Sequence, residues 1–326
     1  MKQFFLVTYI LLSPSYIFLQ NGDNKWVFGY FSEDNWSTYD SLKYPWFFNF
    51  QKTNSSYGTS LLDFSQDPPS FSYEREMTLD RFDANTSLCD SDNNILLYSN
   101  GMQTHNNKHE VLLDSMGFGD YYRRFSEFKN YKWYPKGTTV PQSVIILPFY
   151  NNQEVYIIYS KMNVDLKNFI PEVFYSKVTK NEKNEYQIER KNISIDKRSF
   201  HGGMTACRHA NGRDWWLAAN ELPNKLLIYL VEPRGISLKN ELIMEGDSLL
   251  IAAGGMKFSP NGKKLALQSG TGKENHHTLL YVFDFDRIDG SVKQMHFEKL
   301  NLAGQGDPGG LEISYDSKKL YISKSN

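Results

Sequence analysis

Short, almost continuously apolar runs bounded by turn-forming residues recur along the chain: Trp215 to Ala219, Leu265 to Gln268 and Leu279 to Phe283. That pattern belongs to strands buried on both faces. Upstream, Ile95 to Tyr98, Val144 to Ile146 and Val155 to Tyr159 read the same way. Polar pairs or triplets precede the second strand of each unit: Asp92-Asn93-Asn94, Asn151-Asn152, Asn211-Gly212, Asn261-Gly262 and Asp316-Ser317. A tight turn needs positive φ, which Gly, Asn and Asp tolerate best. No long run of apolar residues at a 3.6-residue period competes, so the prediction is all-β.

The pattern is also a repeat. Gly254 to Leu265 aligns without gaps with Gly309 to Leu320, and Gly202-Gly203-Met204-Thr205-Ala206-Cys207 fits the same frame. Weaker copies begin at Pro141 and Ala84, so repeats start at 84, 141, 202, 254 and 309. The spacing lies nearer the ~50 residues of kelch-like units than the ~40–45 of a WD40 blade. Four antiparallel strands per unit, repeated radially, predict a β-propeller across residues 21–326, with about five blades visible. The glycine pair opening several repeats is expected to let the innermost strands approach closely around the axis. The last repeat shows only two strands. Either strands near Trp26 to Phe31 and Phe71 to Met77 complete its blade, or the propeller is truncated and more blades follow Asn326.

Composition changes this picture little. Hydrophobic residues at 40% and charged residues at 22% are ordinary for a globular protein, and the 15% aromatic content favours strands. With 36 basic and 37 acidic residues the net charge is -1, so nothing at the level of the whole chain calls for a nucleic-acid partner. The N-terminus does matter: Lys2, an apolar run from Phe4 to Leu12, then Ser13-Pro14-Ser15 read as a secretory signal peptide over residues 1–20. Pro14 interrupts a run too short for the ~20 residues that span a bilayer, so no stable membrane insertion is expected once the signal is removed. The two cysteines, Cys89 and Cys207, occupy the same slot of different repeats and are expected as separate buried thiols.

Several phrases carry a resemblance: Asp90 to Gly101, Gln142 to Pro148, Arg208 to Trp216, Trp26-Val27-Phe28-Gly29, Phe258 to Lys263 and Phe283-Asp284-Phe285-Asp286. Their order and spacing resemble a family of secreted bacterial propellers with WD40-like repeats, often ending in a type IX secretion sorting or gliding-motility-associated C-terminal domain. The resemblance runs from about Trp26 to the end of the chain. It implies export to the bacterial cell surface or the medium and further blades after Asn326; it implies no particular chemistry.

Candidate chemistry is sparse. His105 and His109 have the i, i+4 spacing of a metal-binding helix, but lie in a turn-rich strand connection and lack the adjacent Glu of a zinc-protease motif. Ser269-Gly270-Thr271-Gly272-Lys273 lacks the first Gly of a phosphate loop and the Ser or Thr after the Lys. Accordingly no metal, cofactor or catalytic set is expected. Asn35, Asn54, Asn85 and Asn192 head glycosylation sequons, which in an exported bacterial protein are coincidental. The most distinctive run is Arg208-His209-Ala210-Asn211-Gly212-Arg213-Asp214-Trp215-Trp216. Arg208, His209, Asp214 and Trp216 are the candidate ligand-binding residues, an aromatic face beside Arg and His suited to a sugar or an acidic group. The competing expectation is that His209 and Asp214 brace the turn. On a strand beginning at Asp214, Trp216 shares a face with Ala218, whereas Trp215 faces the other way with Leu217 and Ala219. The expected function is a non-catalytic binding or interaction scaffold for a protein or glycan. The alternative is a propeller enzyme, lactonase-like or a glycan-acting hydrolase, with its site at the channel mouth.

Overall fold

The inner strands of the central blades are apolar on both sides because each of those blades packs between two others. The computed structural model describes residues 25–28, 59–63, 65, 67–74, 84–114, 116, 142–165, 168–198, 200, 203–247, 249, 254–270, 277–300 and 308–324. Among them the chain is a β-propeller, its strands ordered consecutively within antiparallel sheets. The first sheet holds β1 (Lys25–Phe28), β2 (Thr59–Asp63) and β3 (Ser70–Glu74). Four four-stranded blades follow. They are β4 (Thr86–Cys89), β5 (Ile95–Ser99), β6 (Thr104–Asn106) and β7 (Val111–Leu113); then β8 (Val144–Phe149), β9 (Glu154–Asp165), β10 (Asn168–Lys180) and β11 (Tyr186–Asp196). Next come β12 (Thr205–Arg208), β13 (Trp215–Glu221), β14 (Lys225–Glu232) and β15 (Gly235–Ile243), then β16 (Gly254–Phe258), β17 (Lys264–Gly270), β18 (Thr278–Phe285) and β19 (Val292–Leu300). Finally β20 (Pro308–Ile313) pairs with β21 (Leu320–Lys324).

The repeats found in the sequence start at the innermost strands β4, β8, β12, β16 and β20. The N-terminal strands make a sheet of their own, with β2 between β1 and β3, and Leu61 of β2 packs against Tyr98 of β5. The proposed signal segment, residues 1–20, lies outside the described residues.

Alternation along β13 sends side chains into two different cores. Trp215, Leu217 and Ala219 pack with Leu147, Phe149 and Tyr156 of the β8 blade. Trp216 and Ala218 pack with Met256, Phe258 and Tyr281 of the β16 blade. Both tryptophans therefore lie between blades, on opposite sides, as the strand period requires. Their polar edges pin the neighbours: Trp215 Nε1 donates to Pro148 O at 3.0 Å, and Trp216 Nε1 to Arg287 O at 2.8 Å. Burial falls off outward, and the edge strand β15 alternates between half-buried and exposed positions.

The turn that closes each inner hairpin is built alike in successive blades. Asn211 Oδ1 accepts from the amides of Arg213 and Asp214, Asn261 Oδ1 from that of Lys263, and Asp316 Oδ1 from that of Lys318. The next residue, Gly212, Gly262 or Ser317, takes positive φ. These are Asx turns, in which the side chain replaces a backbone acceptor.

At the other end of the inner strands the glycines permit the expected close approach. Gln142 accepts from Met204 N at its carbonyl (3.1 Å). Its amide clamps the backbone of Met256, Oε1 accepting at 2.7 Å and Nε2 donating at 3.0 Å. One residue thereby ties the starts of three blades together. A Cβ at Gly203 would lie 3.2 Å from Gln142 Oε1, so a larger residue there would press on the clamp. Cys89 and Cys207 are buried in β4 and β12 with no disulfide between them, and burial pushes the Cys207 thiol up to about 12.

Candidate functional site

The turn between β12 and β13 carries all four residues singled out by the sequence. Its frame is local: Gly212 N donates to His209 O and His209 N to Asp214 O, each at 2.9 Å. Asp214 is almost fully enclosed. Its Oδ1 accepts from Arg213 Nε at 2.7 Å, and its Oδ2 from Arg213 Nη2 at 2.8 Å and Asn211 Nδ2 at 2.7 Å. This fork from Arg213 holds the Asp214 carboxyl below the usual carboxylate range. His209 Nδ1 accepts from Asn211 N at 3.0 Å, which places the proton of the neutral ring on Nε2. The imidazole stacks on Trp216 with ring centroids 5.2 Å apart.

Trp216 is itself covered. The β18–β19 turn lies over it, so that a Cβ at Gly290 would fall 2.5 Å from its ring. Arg287 of the same turn donates from Nε to Arg208 O at 2.7 Å, and its carbonyl accepts from Ala210 N at 2.9 Å. His209, Asp214 and Trp216 are thus all engaged in bracing the turn and the seam with the β16 blade.

Arg208 is placed differently. It lies opposite Trp215 in the β12–β13 register, with its guanidinium 3.7 Å from the centre of the Trp215 ring. It is half-buried on the β8-blade side, whereas His209 and Trp216 stack together facing the β16 blade, so the four residues do not converge. Its Nη1 donates to Arg213 O at 2.9 Å. Burial pushes the guanidinium down to about 10, against the opposing pull of Asp214, leaving it cationic at neutral pH. The exposed side chains of Arg213 and Tyr150 lie close by, near enough for Tyr150 to act electrostatically on the Arg213 guanidinium.

Sequence reasoning named Arg208 but missed these companions. Tyr150 sits one blade away, at a positive φ of 48°; Arg213 lies in the distinctive run without being one of its candidate ligand residues. The rim continues through exposed Lys263, Tyr315 and Lys318 on the next two inner turns, which are joined by a hydrogen bond from Asn261 N to Ser317 Oγ at 3.3 Å.

The opposite end of the inner strands is polar and uncharged at several buried positions, among them Ser143, Ser160, Asn220 and Ser269. Ser143 Oγ and Asn220 Oδ1 are buried there without a hydrogen-bond partner among the described residues. Among the described residues no three His, Cys, Asp or Glu side chains gather as metal ligands.

No family model matches this chain, and no curated protein matches it. Solved structures do. A candidate 6-phosphogluconolactonase of Bacteroides uniformis aligns over 82% of this chain and 71% of its own, at 11% identity and a TM-score of 0.43. A second, from Bacteroides fragilis, covers 92% of this chain and 88% of its own, at 11% identity and a TM-score of 0.40. A periplasmic gluconolactonase of Pseudomonas aeruginosa aligns over 76% of this chain and 64% of its own, at 12% identity and a TM-score of 0.39.

Proposed function

We propose that this chain is an exported binding propeller, a non-catalytic scaffold at the cell surface or outside it, and that the inner-turn face captures an acidic glycan. The observation that carries the reading is Arg208: a half-buried guanidinium over an indole, 3.7 Å from the ring centre, with a hydrogen bond to a carbonyl. Such a group is desolvated and oriented before any ligand arrives. A planar fork of N–H donors matches a carboxylate in two parallel bonds. Exposed Arg213, already paired with Asp214, adds N–H donors at the rim, and Tyr150 an aromatic ring against which the apolar face of a sugar can lie.

The test is calorimetric titration with an oligogalacturonate and, in parallel, a neutral oligosaccharide of the same length. The acidic probe should bind in a salt-dependent way, and Arg208→Ala and Arg208→Lys should each weaken it by about tenfold or more, since lysine keeps the charge but loses the fork. Equal affinity for the two sugars, or an unchanged affinity in Arg208→Lys, overturns the reading. Binding of an acidic peptide instead of either sugar would make the partner a protein.

One observation favours the enzyme alternative, the pair of buried polar atoms Ser143 Oγ and Asn220 Oδ1 at the other end of the strands. A propeller hydrolase would use such groups to orient substrate at the channel mouth. Turnover of a sugar lactone or of the oligogalacturonate, lost in Asn220→Ala, would decide for it.

A further inference from the structure

The geometry points to a binding site for a divalent transition-metal ion, copper or zinc, formed by Tyr98, His105 and His109 in the β4 blade. Pairing of β5 with β6 sets Tyr98 directly opposite His105, their ring centroids 5.2 Å apart. His109 arrives from the β6–β7 turn. Asn106 shapes that turn, its Oδ1 accepting from Lys108 N at 2.9 Å and Glu110 N at 3.0 Å. His109 is held there at a φ of 63°, a conformation uncommon for a non-glycine residue. This turns its imidazole back onto the blade.

Two ring nitrogens therefore meet one oxygen. Tyr98 Oη lies 2.9 Å from His109 Nδ1 and 3.4 Å from His105 Nδ1, and the latter is also 3.2 Å from the His109 carbonyl. At the ~2.0–2.2 Å bond lengths of zinc to nitrogen and oxygen, the first two separations correspond to angles of about 90° and about 110° at the metal. Both belong to four-coordinate geometry, and imidazole is a preferred donor for copper and zinc.

The surrounding hydrogen bonds orient His105 for this role. Gln103 donates from Nε2 to Asp114 Oδ1 at 3.1 Å, which leaves its Oε1 facing His105 Nε2 at 3.5 Å. In the tautomer that donates from Nε2 to this amide oxygen, Nδ1 carries the lone pair that a metal takes. In the other tautomer Nδ1 donates to the His109 carbonyl at 3.2 Å, so metal binding moves the ring proton from Nδ1 to Nε2. Metal-bound histidines are oriented in just this way, the outer N–H given to an amide or carboxylate. On binding, Tyr98 exchanges its phenolic proton, released to solvent, for the metal–oxygen bond.

The sequence reading expected no metal at these two histidines, because their i, i+4 spacing lies in a strand connection and not on a helix. The third donor comes from the neighbouring strand, which the spacing cannot show.

Untagged full-length protein, stripped with chelator and freed of it, should bind one equivalent of Cu²⁺ with a phenolate-to-copper charge-transfer band, and one of Zn²⁺ by calorimetry. Tyr98→Phe should abolish the band and His109→Gln should weaken binding at least tenfold, both with an unchanged far-ultraviolet circular dichroism spectrum. Absence of saturable binding overturns the inference, and so does binding of equal strength in both variants, which would place the metal elsewhere. A site occupied by a proton alone would show pH-dependent histidine resonances and no response to either metal, which also overturns it.

Discussion

Gly290 and Gly212 have the same backbone conformation, φ 74°, in different surroundings. A Cβ at Gly212 meets nothing within 4 Å, whereas one at Gly290 would lie 2.5 Å from the Trp216 ring. Replacing each by alanine therefore separates two costs. Left-handed backbone costs a non-glycine residue about 1–2 kcal/mol, and Gly212→Ala should destabilise by that much. Gly290→Ala adds a collision with a buried ring, and overpacking of this kind costs about 1–3 kcal/mol more, for a total of about 2–5 kcal/mol. The ring has little room to withdraw, because its Nε1 is bonded to Arg287 O and Asn240 Nδ2 holds the Gly290 carbonyl at 2.8 Å. Urea unfolding followed by far-ultraviolet circular dichroism measures both variants, and a third pair, Gly290→Ala in a Trp216→Leu background, completes the cycle. In that background the extra cost should vanish and only the backbone cost remain. Equal destabilisation by the two glycine variants, or no change on removing the ring, would refute the view that the β18–β19 turn seals Trp216.

Two further outcomes follow from the same geometry. Gln142→Ala should destabilise by about 1–3 kcal/mol, because it leaves the buried N–H and C=O of Met256 without their partner; an unchanged urea midpoint would show that water replaces the clamp. Asp214 has its carboxyl pKa lowered by the Arg213 fork, so its stabilisation is complete above the unfolded value of about 3.9 and is lost as the pH falls through the lower folded value. Asp214→Asn should then differ from the parent by a constant amount above about pH 5 and by progressively less below pH 4, as read by urea midpoints across that range.

The repeat, the strand order and the inner turns were legible in the sequence because they rest on local physics. Alternation along β13 assigned Trp215 and Trp216 to opposite faces, and Asn211-Gly212, Asn261-Gly262 and Asp316-Ser317 each encode one positive-φ turn. Which faces those turns meet is set by chain segments far away. Arg208 looked like a partner of His209 and Trp216, yet the register with Trp215 carries it to the other seam. Trp216 looked available for a ligand until the β18–β19 turn, seventy residues on, was laid over it.

By itself, then, the sequence determined an all-β chain of radially repeated antiparallel units and where its strands turn, because two-residue alternation and turn chemistry act between near neighbours. Only the tertiary structure decided which polar groups converge: Arg208 with Trp215, Arg213 and Tyr150 on the inner-turn face; Gln142 with Gly203 and Met256 at the axis; Tyr98 with the two histidines. Those meetings depend on strand register and on the packing of one blade against the next, and neither leaves a mark in the spacing of residues along the chain.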